Sequence, residues 1–260
     1  MPKTHDKKAL EVSPERAAVI IQSLFRGYRE RKVYHLRFLT PEDRENYPVN
    51  VRGNDPEFSI PAHAETDKIV LVATGGLRAV DIACKLGPHC PKLMIIDNSA
   101  QVIAFWRSIT KISSASDDMA LFLKQLQAYY LQEEDLQINS ERDFQYITHL
   151  FQNHGFEKVN GIIRNTSVIA QSWADKATFF SLRQIIDRHK YQRVYAYPSN
   201  IVSYLYVGLK KQSAATEVVK NIATLKPNVA FVTNCCQYRF KPNYARAIEN
   251  PSEASYALML

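Results

Sequence analysis

The chain has 260 residues, 46% of them hydrophobic and 11% aromatic, with a formal net charge of +7. That is enough apolar material to close one large core with a short appendage, and it excludes a chain that is disordered throughout. No run of about 18 apolar residues spans a membrane, and the polar stretch from Met1 to Glu11 has no apolar core for a secretory signal. Part of the basic excess is gathered around Arg26 to Lys32 and the rest is scattered, so charge by itself does not argue for nucleic acid. Cys84, Cys90, Cys235 and Cys236 lack a Cys-x-x-Cys spacing and a histidine cluster, which points to free thiols in a reducing, cytoplasmic setting and to no metal site.

In chain order, the first predicted element is a basic amphipathic helix, with Ser13 as cap, Pro14 as first helical residue, and Val19, Ile20, Leu24 and Phe25 as its apolar positions. Within it, Ile21-Gln22-Ser23-Leu24-Phe25-Arg26-Gly27-Tyr28-Arg29-Glu30-Arg31 resembles the IQ motif, whose defining positions are filled by Ile21, Gln22, Arg26, Gly27 and Arg31. The resemblance implies calmodulin or a related EF-hand protein as partner, bound by these five residues and Phe25. An apolar stripe can enter a Met-lined groove while Arg26, Arg29, Arg31 and Lys32 face an acidic rim. The alternative is an amphipathic helix that packs on its own domain.

Residues 1–39 thus form an N-terminal helical module. Residues 40–67, with Pro41, Pro48, Gly53, Pro56 and Pro61, read as a connecting segment. From residue 68 to 260 short buried-strand runs alternate with helical patterns. Strands are expected at Lys68–Ala73, Lys92–Ile96, Lys158–Ile163, Arg193–Tyr197 and Asn228–Val232. Helices are expected at Leu77–Leu86, Ser99–Ile109, Ser172–His189, Ile201–Lys211 and Ala214–Leu225, with a helical insertion over about 113–154. The alternation predicts an α/β fold, a Rossmann-like doubly wound and mostly parallel sheet.

Ligands of such sheets bind outside the carboxyl ends of the strands. There Thr74-Gly75-Gly76 follows the first strand and lets a ligand approach the backbone at the start of a helix. Asp97 ends the second strand about 20 residues beyond the first glycine, the spacing at which an acidic side chain receives ribose hydroxyls. The bland readings are a tight turn for the glycines and a helix cap for Ser199-Asn200.

From Lys68 to Val232 the chain resembles the class I S-adenosylmethionine-dependent methyltransferase superfamily. The resemblance rests on Val72-Ala73-Thr74-Gly75-Gly76-Leu77-Arg78, on Ile95-Ile96-Asp97-Asn98-Ser99 and on Tyr195-Ala196-Tyr197-Pro198-Ser199-Asn200. It implies S-adenosylmethionine as cofactor, held by Thr74, Gly75, Gly76, Asp97, Asn98, Asn165, Pro198 and Ser199, with Tyr197 and Asn200 in the catalytic role towards an unknown acceptor. Ala73 and Leu77 stand where that family usually has an acidic residue and a third glycine. Two further readings stay open. One is a catalytically silent Rossmann-like module whose task is to bind calmodulin. The other is an NAD-dependent oxidoreductase, against which the lack of a full G-x-G-x-x-G speaks. A calmodulin partner implies a eukaryotic protein or a bacterial effector delivered into a eukaryotic cell. His89, Cys90 and Cys84 read as a structural loop without a fourth metal ligand, Trp106 and Trp173 as core, and Gln237–Lys241 as too short a basic-aromatic tract for nucleic acid.

Overall fold

The computed structural model describes residues 55, 57–60, 67–87, 91–132, 140–233 and 245–251. The IQ-like helix, most of the connecting segment, His89, Cys90, Cys235, Cys236 and Gln237–Lys241 lie outside them.

Ile69–Ala73 (β1) is a continuous apolar run with every residue buried, the pattern of a strand covered on both faces. It pairs in parallel with Lys92–Asp97 (β2) on one side and Arg193–Ser199 (β4) on the other. Ser167–Ala170 (β3) extends the sheet beyond β2, and Val229–Thr233 (β5) beyond β4, both in parallel. Ala245–Glu249 (β6), which periodicity does not announce, closes the β5 edge antiparallel. The order is β3-β2-β1-β4-β5-β6, so the winding reverses between β1 and β4.

Side chains alternate across the pleat. Leu71, Ala73, Leu93, Ile95, Tyr195, Tyr197, Val229 and Phe231 join one core with the helices Leu77–Lys85 (α1), Ala100–Ala115 (α2), Met119–Gln132 (α3), Ser140–His154 (α4) and Phe156–Arg164 (α5). The helices Lys176–Arg188 (α6) and Gln212–Leu225 (α8) pack together as a separate layer, and α8 meets β4. Ile201–Ser203 (α7), which continues as a π-turn over Tyr204–Gly208, joins β4 to α8.

Three expectations are corrected. Lys158–Ile163 is not a strand but part of α5, whose buried Val159, Asn160, Ile162 and Ile163 follow a helical period, and the third strand begins only at Ser167. Gly155, at φ +81, supplies the left-handed residue that separates α4 from α5. α2 runs on past the expected end at Ile109 to Ala115, and Ser114 and Ser116 bond back along the helix, donating to the carbonyls of Thr110 and Ile112. The helix expected over Ile201–Lys211 is one turn of α-helix and a π-turn, ending after Gly208.

Candidate functional site

The carboxyl ends of β1, β2, β4 and β5 lie side by side where the sheet order reverses, the place at which α/β sheets take their ligands. At the end of β1 the Thr74 N–H still donates to the Tyr197 carbonyl of β4 (3.0 Å). The chain then turns at Gly75, whose φ of +71 is the left-handed region. A Cβ on Gly75 would meet nothing within 4 Å, so this side of the loop is open. Trp106 of α2 holds the loop from beneath, its indole N–H donating to the Gly75 carbonyl (2.7 Å). Gly76 is the N-cap of α1 and offers no side-chain cap, so the first amides of α1 have no partner from that side chain.

Asp97, 9% exposed, ends β2 and ties this loop to the next helix. One carboxylate oxygen accepts from the Thr74 hydroxyl (2.9 Å) and the Gly75 N–H (3.0 Å), and the other from the Ser99 N–H (2.8 Å). Burial pushes its pKa up against these bonds and one from the Asn98 N–H. A carboxylate offers about four lone-pair positions, so Asp97 is saturated from within the chain. Ser99 in turn caps α2 through the Val102 N–H. Asn98 is half-buried at the rim.

Across the reversal, Tyr197 is 2% exposed and its hydroxyl donates to Asp55 (2.5 Å), a residue of the connecting segment. Burial, and then the charge of Asp55, push the Tyr197 phenol well above its usual range. Pro198 is buried. Ser199, a non-glycine at φ +56 where the β4/β5 register shifts, donates to the same Asp55 oxygen (2.6 Å). Thr233 at the end of β5 donates to the other oxygen (2.9 Å). Asn200 is the N-cap of α7, with no side-chain cap bond, and its carbonyl accepts from Ser203 (3.0 Å) and the Tyr204 N–H (2.8 Å). Arg78, in the first turn of α1, donates to the Asp55 carbonyl (2.7 Å) and to Asp81 (2.9 Å), and its guanidinium lies over the Tyr146 ring (5.3 Å).

Thr74, Gly75, Gly76, Asp97 and Asn98 thus gather around β1 and β2, and Tyr197, Pro198, Ser199 and Asn200 stand at the neighbouring end of β4. Asn165 does not join them. It caps α5 and precedes β3 instead of following it, which places it at the amino edge of the sheet. There it lines a cleft of about 240 Å³ with Asp67, Lys68, Pro91, Lys92 and Tyr191, and its carbonyl accepts from the Lys92 amine. The partner-binding residues Ile21, Gln22, Phe25, Arg26, Gly27 and Arg31 lie outside the described residues.

Asp55, Arg78 and Thr233 are participants that sequence reasoning missed. Thr233 had a usable signal: buried strands end on, or are followed at once by, a polar residue at Thr74, Asp97, Ser199 and Thr233, all at the edge where α/β sheets bind ligands. Asp55, in a Pro- and Gly-containing stretch, had none.

Among the described residues no group of three or more His, Cys, Asp or Glu side chains is placed to hold a metal ion, and no helix is long and apolar enough to cross a membrane. No curated protein matches the chain. Residues 15–35, however, match the IQ calmodulin-binding motif, so the chain carries a recognised docking sequence for calmodulin ahead of its α/β domain.

Proposed function

We propose that the chain is a calmodulin-binding, S-adenosylmethionine-dependent transferase of methyltransferase-like type, whose Rossmann-like domain takes its cofactor at the carboxyl ends of β1 and β2. The observation that carries this reading is Gly75. A left-handed glycine with open space on its Cβ side, at the start of a helix and at the reversal of strand order, is what a phosphate- or nucleoside-bearing ligand needs to approach the backbone. Such a cofactor supplies an electrophilic methyl group, and the protein's part is to place an acceptor against it. Gly75, Gly76 and Asn98 would line the cofactor, with Tyr197 and Asn200 towards the acceptor. Asp97 fits a ribose only by giving up bonds to Thr74 or Gly75.

That saturation of Asp97 favours a second reading, a catalytically silent Rossmann-like module that binds calmodulin. Calorimetric titration of the full chain separates the two. The transferase reading expects a saturable S-adenosylmethionine isotherm, lost in Gly75→Leu. No heat from the unmodified chain would leave the silent module, and heat from NADH in its place would transfer the site to dehydrogenase chemistry.

A further inference from the structure

Three hydroxyls, from two strand ends, converge on one side chain that belongs to none of the strands. Tyr197 and Ser199 meet one oxygen of Asp55 at 2.5 and 2.6 Å, and Thr233 meets the other at 2.9 Å. The first two lengths are those of hydroxyls donating to a charged oxygen. The donors sit on a rigid frame, because Tyr197, Ser199 and Thr233 are all residues of paired strands. Ser199 is held there at a φ of +56, a conformation that costs a non-glycine residue energy and that concentrates at functional sites. The Arg78 guanidinium, paired with Asp81 at 2.9 Å, holds the Asp55 backbone carbonyl and leaves the carboxylate to the hydroxyls. Three hydroxyl donors around two oxygens are the complement of a planar carboxylate.

The occupant comes from the segment that precedes β1. Asp55 is 5% exposed, and Phe58 anchors the same stretch against Tyr197 and Phe231, with ring centroids 5.8 and 5.3 Å apart. A buried charge is a poor structural joint, since an apolar contact of similar volume serves stability as well or better. It is a good occupant for a site made for that charge, and this one stands where α/β sheets take their ligands.

We propose that Tyr197, Ser199 and Thr233 form a carboxylate-binding subsite of this edge, filled in cis by Asp55, and that the ligand taken there in trans carries a carboxylate. This rests on the reading that the carboxyl edge is the ligand site with the cofactor, which has a carboxylate of its own, at β1 and β2; the carboxylate taken at β4 and β5 is then the acceptor's, and a carboxylate-bearing acceptor is the substrate class. Displacing Asp55 is then a condition for binding.

The test is thermal melting of full-length Asp55→Ala in sodium acetate, against sodium chloride and sodium sulfate at equal ionic strength. The subsite predicts a saturable, acetate-specific rise of about 2–4 °C in Asp55→Ala. The rise is absent from the unmodified chain, whose subsite is filled, and from Asp55→Ala/Thr233→Ala. No rise, an equal rise with sulfate, or an equal rise in the unmodified chain overturns the proposal. Should Asp55→Ala give no cooperative melt, Asp55→Asn replaces it: acetate should speed amide exchange at Glu57–Ile60 in that variant and not in the unmodified chain, and unchanged exchange overturns the proposal. No cofactor is present in either measurement. A chain that responds to acetate but ignores S-adenosylmethionine therefore keeps the subsite and loses the transferase reading.

Discussion

Lys92 shows how one side chain sets a pH dependence. It opens β2, lines the cleft at the amino edge and donates to the Asn165 carbonyl. Burial pushes its pKa down to about 8 from 10.5. A lowered lysine pKa means that the folded chain holds fewer protons than the unfolded one between about 8 and 10.5. Stability from this group therefore rises as pH climbs through that window, and below it the cost of the half-buried charge is present. Lys92→Met should stabilise the protein at pH 7 by on the order of 1 kcal/mol and flatten the rise above pH 8. Urea melts of both chains at neutral and alkaline pH check this, and an unchanged midpoint at pH 7 would sink it. At the same scale, Asp97 was legible from its place at the end of an apolar run. That its carboxylate is spent on Thr74, Gly75, Asn98 and Ser99 was not, because those bonds depend on where two loops come to lie.

Among the elements, the junction of α2 with α5 is the most exacting. The last turn of α2 leaves carbonyls without helical partners, and Arg164 at the end of α5 satisfies two of them, its Nε and Nη2 donating to the carbonyls of Ser113 and Ser116 at 2.8 Å each. The single Ser113 hydroxyl proton is shared between the side-chain and backbone carbonyl oxygens of Asn160. Arg164→Ala should cost about 2–4 kcal/mol, read as a lower urea midpoint at unchanged slope, because it strips a charged, two-pronged cap from a partly buried helix end. Arg164→Lys should recover only part, since a single ammonium cannot hold both carbonyls in the guanidinium's geometry. Full recovery by lysine would show that charge alone matters here. α5 is also where pattern reading failed. Val159, Ile162 and Ile163 looked like a short strand, but with Phe156 they are one face of a helix docked on α1, α2 and α4. A few apolar residues fit either period until the partner surface is known.

For the whole molecule, the question is whether the calmodulin-binding motif and the α/β domain act together. The connecting segment delivers Asp55 and Phe58 to the carboxyl ends of β4 and β5, so the chain that follows the motif reaches the candidate site. If calmodulin acts as an activator, saturating calmodulin should tighten S-adenosylmethionine binding, and the cofactor should tighten calmodulin binding by the same factor, in the range of about 5 to 150. Calorimetry run in both directions checks the reciprocity. An unchanged cofactor affinity makes the motif a tether only. Because IQ motifs also take calcium-free calmodulin, a peptide of Ala17–Lys32 should bind with chelator present, and its failure to bind with or without calcium would remove the partner.

Taken alone, the sequence determined what local chemistry can determine. The filled positions of Ile21 to Arg31 identify the IQ motif, and the apolar runs at Ile69–Ala73 and Lys92–Asp97 declare buried parallel strands because both faces must be covered. The turn at Gly75 was readable because only a residue without a side chain adopts that backbone cheaply. Tertiary structure alone decided that β4 lies beside β1, that β6 closes the far edge antiparallel, and that Asn165 faces the amino edge. It alone brought Asp55 to Tyr197, Ser199 and Thr233, across sequence separations of 142, 144 and 178 residues. Contacts at such range leave no period in the chain, because they are fixed by how layers pack and where strands end, and neither is a property of any one segment.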